Sequence, residues 1–289
     1  MKVLSLFDGI ACGYEALKRA WIPIENYYAS EIDKHAIKVA TTNHPDIIEI
    51  GDVCEVKWED YQWVDLIIGW SPCTWFSWAW KGLNFEDPQS RLFFEYVRIL
   101  NEVKPKYFLL ENVKMKKERE DKITEILRWI KPILINSSLL SAQNRWRNYR
   151  VGKLNEDWTY SKVEIPQPED KGVLLKNIFL PEGQTKDLIL APERIEMIRN
   201  WKCYEKPLER VKTWEDKMDT LTTHCGKWSW WIRLVDSGSW IRMLHPVECE
   251  RLQTLPDEYT KAIPNSFRYK ALWNGWTCNI IAHIFSYLK

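Results

Sequence analysis

The chain has 289 residues, of which 45% are hydrophobic, so it can bury the core of a large α/β domain with a smaller companion and is not wholly disordered. Its formal net charge of +1 shows no overall basic excess, so any surface for nucleic acid must be local. No apolar run approaches the roughly 20 residues that span a bilayer, and the N-terminus turns to Asp8 too early for a signal peptide; we expect a cytosolic protein with no membrane partner.

The seven cysteines form no CxxC pair and show no regular spacing. This pattern favours neither a disulfide framework nor a zinc site, and we expect no bound metal. Free thiols in a reducing compartment leave one cysteine available as a nucleophile.

Through the first 150 residues, apolar runs typical of strands alternate with helical patterns. We predict strands at 3–7, 27–30, 47–50, 64–68 and 107–110, and helices at 14–19, 34–43 and 91–103. This alternation indicates an α/β fold with a doubly wound, mostly parallel sheet, in which ligands bind outside the carboxyl ends of the strands.

The alternation of strand and helix patterns ends at about 155, and the proline-containing stretch 155–245 indicates a smaller, irregular domain. A helical pattern returns from 265 to 289. We therefore predict one domain from 1–154 and 265–289, and a small domain from 155–264. The charged run 114–122 reads as a solvated loop and the start of a helix.

Three strand ends predict a nucleoside site. The segment FDGIACG at 7–13 follows the first strand and opens a helix, where backbone N–H groups can approach a charged, nucleotide-like cofactor. Glu31 ends the second strand and suits ribose hydroxyls, although an ordinary polar residue at a strand end explains it equally well in isolation. Asp52 with Val53 ends the third strand and suits an adenine edge. Together the three favour a nucleoside far more than any one does.

Two further strand ends carry groups suited to covalent catalysis. Cys73 follows the fourth strand in a loop held by Pro72; most cysteines are inert core residues, but a thiol aimed from such a loop can act as a nucleophile. Glu111 follows the fifth strand, beside that loop in a doubly wound sheet, and suits a proton donor or an anchor for an amine edge. Arg145 and Arg147 lie on one side of an extended segment and suit phosphate or a base carbonyl.

These motifs occur in a fixed order along the chain: FDG at 7–9, Glu31, Asp52, Pro72-Cys73, ENV at 111–113, Gln143 with Arg145 and Arg147, RLQTLP at 251–256, and Asn274-Gly275. The order resembles that of the cytosine-5 DNA methyltransferases, over nearly the whole chain except about 155–245, where that family places its variable target-recognition domain. The opening LSLFDGIACGYEAL is especially similar to the branch of the mammalian de novo enzymes and their bacterial and phage relatives.

The resemblance implies transfer of a methyl group from S-adenosyl-L-methionine to carbon 5 of a cytosine flipped out of double-stranded DNA, in a bacterial cell or a phage-infected host. Cys73 would add to ring carbon 6, Glu111 would hold the ring nitrogen and amine, Arg145 would contact the base carbonyl or position the thiol, and Arg147 a phosphate. The implied cofactor residues are Phe7, Asp8, Gly9, Ile10, Glu31, Ile32, Asp52, Val53, Pro72 and Asn274. No motif predicts an oligomeric state or a target sequence.

Tryptophan outnumbers glycine, 18 to 11, and several tryptophans stand where the family usually has glycine or another small residue. These are Trp21, Trp70, Trp75, Trp78, Trp80 and Trp273, whereas Trp276 looks native. We hypothesise that the source reads UGA as glycine and that these codons were translated as tryptophan; the alternative is genuine tryptophan that stacks on DNA bases.

Two other functions stay open at this stage. An RNA cytosine-5 methyltransferase of the transfer-RNA type shares the scaffold, and a catalytically silent DNA-binding homologue would keep the fold without turnover. A further departure follows Arg147, where Asn148-Tyr149-Arg150 replaces the aromatic strand that the family pattern predicts.

Overall fold

The structure is a computed structural model that describes residues 1–70, 88–200, 207–222, 232–238 and 240–288. The chain forms two compact units. The first consists of Met1–Ile135, Trp146–Gln167 and Ile281–Lys289, and the second of Asn136–Arg145 and Pro168–Ile280. Each unit is therefore built from separate stretches of sequence.

The strands of the first unit's sheet are β1 Lys2–Leu6, β2 Asn26–Ser30, β3 Ile48–Glu49, β4 Leu66–Trp70, β5 Tyr107–Val113, β6 Ile133–Asn136, β8 Trp146–Leu154 and β9 Tyr160–Lys162. Their order in the sheet is β3-β2-β1-β4-β5-β8-β6, with β9 paired to β8. Strands β1 to β5 pair in parallel, whereas β8 runs antiparallel to both β5 and β9. The predicted doubly wound, mostly parallel sheet is confirmed.

Helices lie between these strands: α1 Cys12–Arg19, α2 Lys34–Asn43, α3 Pro88–Val103 and α4 Lys117–Ile126. A core cluster packs α3 and α4 onto the apolar strands β1, β4 and β5, with Phe93, Tyr96 and Phe108 among its largest side chains. Burying such aromatic and aliphatic side chains is the main force that holds the layers together. The helix predicted at 34–43 has those bounds in the structure.

Strand β8 forms although Asn148 and Arg150 interrupt the aromatic pattern that the family resemblance predicts after Arg147. Tyr149 occupies a buried position opposite Glu111, and Val151 and Gly152 continue the pairing with β5. Asn148-Tyr149-Arg150 therefore form part of a strand, whose residues pair along the whole length of β5.

The second unit combines short strands and helices. Its elements are β7 Gln143–Asn144, β10 Met218–Asp219, β11 Leu234–Asp236, β12 Ile241–Met243, α5 Pro192–Arg199, α6 Pro246–Leu252 and α7 Asn265–Asn274, and α8 Cys278–Phe285 begins in this unit. Its interior contains two ion pairs, Arg242 with Glu248 and Arg268 with Glu250. Removing one partner of such a pair leaves an uncompensated buried charge, which is strongly destabilising.

Three exposed tryptophans of the first unit adopt the left-handed backbone region, which favours glycine. Trp21, Trp129 and Trp158 have φ values of 57°, 70° and 62°. The Trp21 N–H donates to the Lys18 carbonyl and the Ile22 N–H to the Leu17 carbonyl, the bonding pattern of a helix that ends in a left-handed residue. A similar pair of bonds ends α4 at Arg128 and Trp129, and Trp158 lies in the turn between β8 and β9. Glycine is the residue most favoured at such positions.

We expect Trp21→Gly to stabilise the protein by about 0.5–1 kcal/mol, because relief of left-handed strain outweighs the extra freedom that glycine gives the unfolded chain. The Trp21 side chain is 92% exposed, so little packing is lost. Chemical denaturation measures the change. The matched control is Trp276→Gly, which removes a buried indole and should destabilise the protein. Equal destabilisation by both changes would contradict this reading.

Candidate active site

The strand order of the first unit reverses between β1 and β4, and the candidate site lies at the carboxyl ends of these strands. Open α/β sheets bind ligands at such a reversal point. The turn after β1 has three left-handed residues, Phe7, Gly9 and Ala11. Two of them are not glycine, and strain of this kind is held in place where surrounding structure fixes a functional loop. A Cβ added at Gly9 would meet no atom within 4 Å, so the turn is open at its centre.

Glu31 braces this turn from the end of β2. One carboxylate oxygen accepts a hydrogen bond from the Gly9 N–H at 2.9 Å, and the other accepts from the N–H groups of Ile32 and Asp33, each at 2.8 Å. A carboxylate has about four lone-pair sites, so an acceptor position stays available for a hydroxyl. The Ile32 side chain is exposed, whereas Ile10 is buried under the turn.

Asp8 and Glu49 bring two further carboxylates beside Glu31. One oxygen of Asp8 accepts from the Ser5 and Tyr27 hydroxyls at 2.6 Å each, and its other oxygen is shielded from solvent without a partner. Burial raises the pKa of Asp8 to about 6 despite those two bonds. Both oxygens of Glu49 are likewise shielded and unpartnered, and burial with the negative charges of Asp8 and Glu31 raises the pKa of Glu49 to about 7.

We expect Glu49→Gln to raise the melting temperature by about 2 °C or more at pH 8 and to change it little at pH 4. A carboxyl whose pKa is raised by folding binds more protons in the folded state, so it lowers stability as the pH rises from about 4.5 through 7. Glutamine carries no charge at either pH. Thermal unfolding against pH measures the difference, with the exposed acid Glu55 changed to Gln as the control. The same shift at both pH values would show that ionisation is not the cause.

Asp52 and Val53 follow β3 and begin a short 3-10 turn. The Asp52 carboxylate accepts from the Cys54 N–H at 2.9 Å, and Val53 is buried. Gly51, just before them, has a φ of 77° and open space around it. The segment after β3 therefore has one acid, Asp52, and a glycine with open space around it, whereas the segment after β2 has the acid Glu31.

Glu111 and Arg147 form a shielded ion pair near the end of β5. Glu111 Oε1 lies 2.8 Å from Arg147 Nε, and both side chains are nearly buried. Strand β5 runs on to Val113, so Glu111 lies inside the strand rather than after it, with Trp70 of β4 as its register partner. The position of Glu111 is thus fixed by the sheet, in β5 and beside the last residue of β4, after which Ser71 follows in the sequence.

The Trp70 indole lies across the reversal point of the sheet. Its Nε1–H donates to the Phe7 carbonyl at 2.6 Å, which ties the end of β4 to the turn after β1. Glycine at position 70 would leave this carbonyl without that donor and free the space of an indole. Among the hypothesised glycine positions that the structure describes, Trp70 is the one whose side chain most directly affects this turn.

The second unit holds the remaining described site residues. Arg145 donates to the carbonyls of Trp273 and Gly275 at 3.0 to 3.2 Å, on either side of Asn274 at the end of α7. The two arginines predicted to act together thus have different partners, carbonyls for Arg145 and Glu111 for Arg147.

The side-chain amides of Gln143 and Gln253 form a buried contact, and the Thr277 hydroxyl donates to the Gln253 side-chain oxygen at 2.9 Å.

The structure brings some of the sequence-predicted residues together and leaves others apart. Structure brings together Phe7, Asp8, Gly9, Ile10 and Glu31 around one turn, and places Asp52 and Val53 just beyond the neighbouring strand β3. Pro72 and Cys73 lie outside the described residues, as do Trp75, Trp78 and Trp80. Sequence reasoning missed Glu49, whose only sequence signal is an acid at a strand end close to Asp52.

Within the described ranges, no helix is long and apolar enough to cross a membrane. The same ranges contain no group of three or more histidine, cysteine or acidic side chains placed to hold a metal ion.

Comparison with known proteins gives the family. Residues 1–289 match the family model described as C-5 cytosine-specific DNA methylase. The type II methyltransferase M.NgoBV of Neisseria gonorrhoeae is 33% identical over 195 residues, which cover 60% of this chain and 46% of that protein. The chain therefore spans about half the length of this relative. M.HhaI of Haemophilus parahaemolyticus is 26% identical over 313 residues, 98% of this chain and 93% of that one.

A solved structure, that of the Entamoeba histolytica methyltransferase EhMeth, has the same fold with a TM-score of 0.80 at 18% identity, covering 100% of this chain and 97% of that one. The resemblance seen in the sequence is thus confirmed at the level of the family, whereas the likeness to the mammalian de novo branch stays a prediction. The chain belongs to the C-5 cytosine-specific DNA methylase family.

Proposed function

We propose that this protein transfers a methyl group from S-adenosyl-L-methionine to carbon 5 of cytosine in double-stranded DNA. The observation that carries the proposal is the shielded Glu111–Arg147 pair at the end of β5, beside the strand that leads into Ser71-Pro72-Cys73. Covalent activation of a pyrimidine requires a nucleophile and a fixed carboxylate that act on the same ring, and Cys73 follows Trp70, the register partner of Glu111, by three residues in the sequence. The match of the whole chain to the family supports this chemistry.

The residues around the β1 turn fit the proposed cofactor. S-Adenosyl-L-methionine, when bound, supplies a methyl group on a positively charged sulfur. The unpartnered oxygens of Asp8 and Glu49 and the acceptor positions of Glu31 and Asp52 suit a cationic nucleoside with two ribose hydroxyls. The proposed cofactor residues are Phe7, Asp8, Gly9, Ile10, Glu31, Ile32, Asp52, Val53, Pro72 and Asn274.

In the proposed reaction, the target cytosine leaves the helix and the Cys73 thiolate adds to its carbon 6. Glu111 holds the ring nitrogen and the exocyclic amine as the ring is activated, while Arg147 keeps the carboxylate in place. Arg147 is also proposed to contact a phosphate, and Arg145 the base carbonyl or the segment around the thiol. Methylation of carbon 5 and loss of its proton allow elimination of Cys73.

We propose that residues 155–264 read the DNA sequence and that 1–154 with 265–289 bind the cofactor and catalyse the reaction. Several cations in the first of these ranges form local ion pairs, such as Arg199 with Glu196 and Arg210 with Asp219. Opening an exposed pair such as that of Arg199 costs little, so this arginine is available for phosphate contacts. The bacterial relatives lead us to propose the DNA of a bacterial cell or of a phage-infected host as the substrate.

The test incubates the protein with methyl-labelled S-adenosyl-L-methionine and mixed-sequence double-stranded DNA. A second version carries glycine at 21, 70, 75, 78, 80 and 273, and Cys73→Ala in each version is the control. Label in cytosine that Cys73→Ala abolishes would support the proposal, and label from the glycine version alone would also support recoding.

A parallel arm replaces the DNA with transfer RNA. Label in RNA but not in DNA would overturn the proposed substrate. No label in either nucleic acid, from folded protein that binds the cofactor, would indicate a catalytically silent homologue.

A further inference from the structure

Arg150 is a fully buried cation on the opposite face of the strand pair that carries Glu111 and Arg147. Its guanidinium donates to the Asn112 side-chain oxygen at 3.3 Å, to the Glu120 carbonyl at 3.0 Å and to the Thr124 hydroxyl at 3.4 Å. Its Nε has no partner. Arg150 therefore joins the end of β5 to the first turns of α4.

The contacts of Arg150 are unusual because, among the described residues, no carboxylate accepts directly from it. The Glu120 carboxylate accepts from Asn148 at 3.0 Å instead, and Asn148 is the register partner of Asn112. Burial lowers the pKa of Arg150 to about 10 and the charge of Glu120 opposes this effect, so the group is a cation at neutral pH. A buried charge held mainly by neutral acceptors contributes little to stability, and a well-packed apolar residue would serve the fold as well. Its role must be sought in what it holds in place.

The residue that it holds adjoins the candidate catalytic acid. Successive residues of a strand point to opposite faces, so Asn112 faces Arg150 while Glu111 faces Arg147. The register places Arg150 opposite Leu110 and Asn148 opposite Asn112. The segment of β5 that carries Glu111 is therefore held from behind by the Arg150 fork and from in front by Arg147.

We infer that Arg150 is a positioning residue, which fixes the end of β5 against α4 and so sets the place of the Glu111 carboxylate. The inference rests on the proposed function, since Glu111 acts there on the cytosine ring. A displacement of about 1 Å at a reacting group lowers rates by up to about 10²-fold, so a small shift of this strand end is sufficient.

The test compares Arg150→Met and Arg150→Lys with Tyr160→Phe. Tyr160 donates to the Pro105 carbonyl at the far end of the same strands, so this control removes a hydrogen bond without touching the Arg150 fork. For Arg150→Met we expect kcat per folded molecule to fall by about 10- to 100-fold with the KM for S-adenosyl-L-methionine changed less than about twofold. Arg150→Lys keeps the positive charge and one donating nitrogen and should recover part of the loss, and Tyr160→Phe should keep the parent kcat.

Hydrogen exchange of the 110–113 amides gives a readout that does not need activity. The inference predicts exchange about tenfold faster there in Arg150→Met and unchanged in Tyr160→Phe. Unchanged exchange and unchanged kcat in Arg150→Met would overturn it. If Arg150→Met does not fold, Arg150→Lys is judged by the same two measurements. If neither the parent nor its glycine version transferred methyl groups to DNA or RNA, the proposed function would be refuted, while the exchange result would still decide whether Arg150 holds the strand.

Discussion

Glu111→Gln is expected to lower the rate of methyl transfer by about 10²- to 10⁴-fold while the fold and the cofactor affinity are kept. Glutamine has nearly the same shape, but it cannot carry the charge that pairs with Arg147 or exchange a proton with the cytosine ring. The loss should fall on kcat, because in the proposed mechanism the interaction of Glu111 with the cytosine strengthens as the ring becomes activated. Single-turnover transfer of labelled methyl to DNA measures it, with isothermal titration of the cofactor beside it.

Glu118→Gln is the matched control, since Glu118 is an exposed acid of α4 on the segment that follows β5. It should retain the parent rate within about twofold, as an isolated surface charge has little influence on a shielded site. Equal activity of Glu111→Gln and the parent would remove Glu111 from the mechanism. Equal loss in both variants would point to a general effect of charge on DNA binding.

Glu248→Ala is expected to destabilise the second unit by about 3–5 kcal/mol. Glu248 is completely buried and accepts from both terminal nitrogens of Arg242 at 2.7 and 2.8 Å, and from the N–H groups of Leu180 and His245. Alanine would leave the buried Arg242 cation and two backbone donors without this acceptor. Urea denaturation followed by the circular dichroism of the protein measures the change.

Glu215→Ala supplies the contrasting control, because it breaks an exposed ion pair with Lys176 and should cost less than about 1 kcal/mol. The double change Arg242→Met with Glu248→Leu should regain most of the lost stability, since it removes the uncompensated charge together with its partner. If the double variant were no more stable than Glu248→Ala, the loss would come from packing and from the backbone donors of Leu180 and His245 rather than from the unpaired cation.

The parallel part of the sheet could be predicted because each strand is a short apolar run with a motif at its carboxyl end. The runs ending near Phe7, Ser30 and Leu110 lie in β1, β2 and β5 as predicted. Strand β5 is longer than its apolar run, since Glu111 and Asn112 have polar partners on the two faces of the pair with β8. Periodicity cannot reveal such an extension, because those partners are distant in sequence.

The remaining features depend on contacts and backbone angles that composition does not encode. Glu49 becomes a shielded acid only when β3 aligns beside β2, and Arg150 becomes a buried fork only when β8 pairs with β5. Trp21 was singled out from the family pattern, but Trp129 and Trp158 were not, and it is their positive φ values that mark them. A position that favours glycine is defined by its backbone angle, which cannot be recognised from the sequence when the residue there is tryptophan.

The division of the chain between the two units has a consequence for synthesis on the ribosome. The first unit includes Ile281–Lys289, which are translated after the intervening Pro168–Ile280 of the second unit. Domains generally fold as units when their residues have emerged. The first unit is therefore incomplete, because Ile281–Lys289 are missing, until the second unit has been made. A stall in translation within 168–280 would expose apolar surface of a nascent chain, and pulse-chase proteolysis of such stalled chains would detect it.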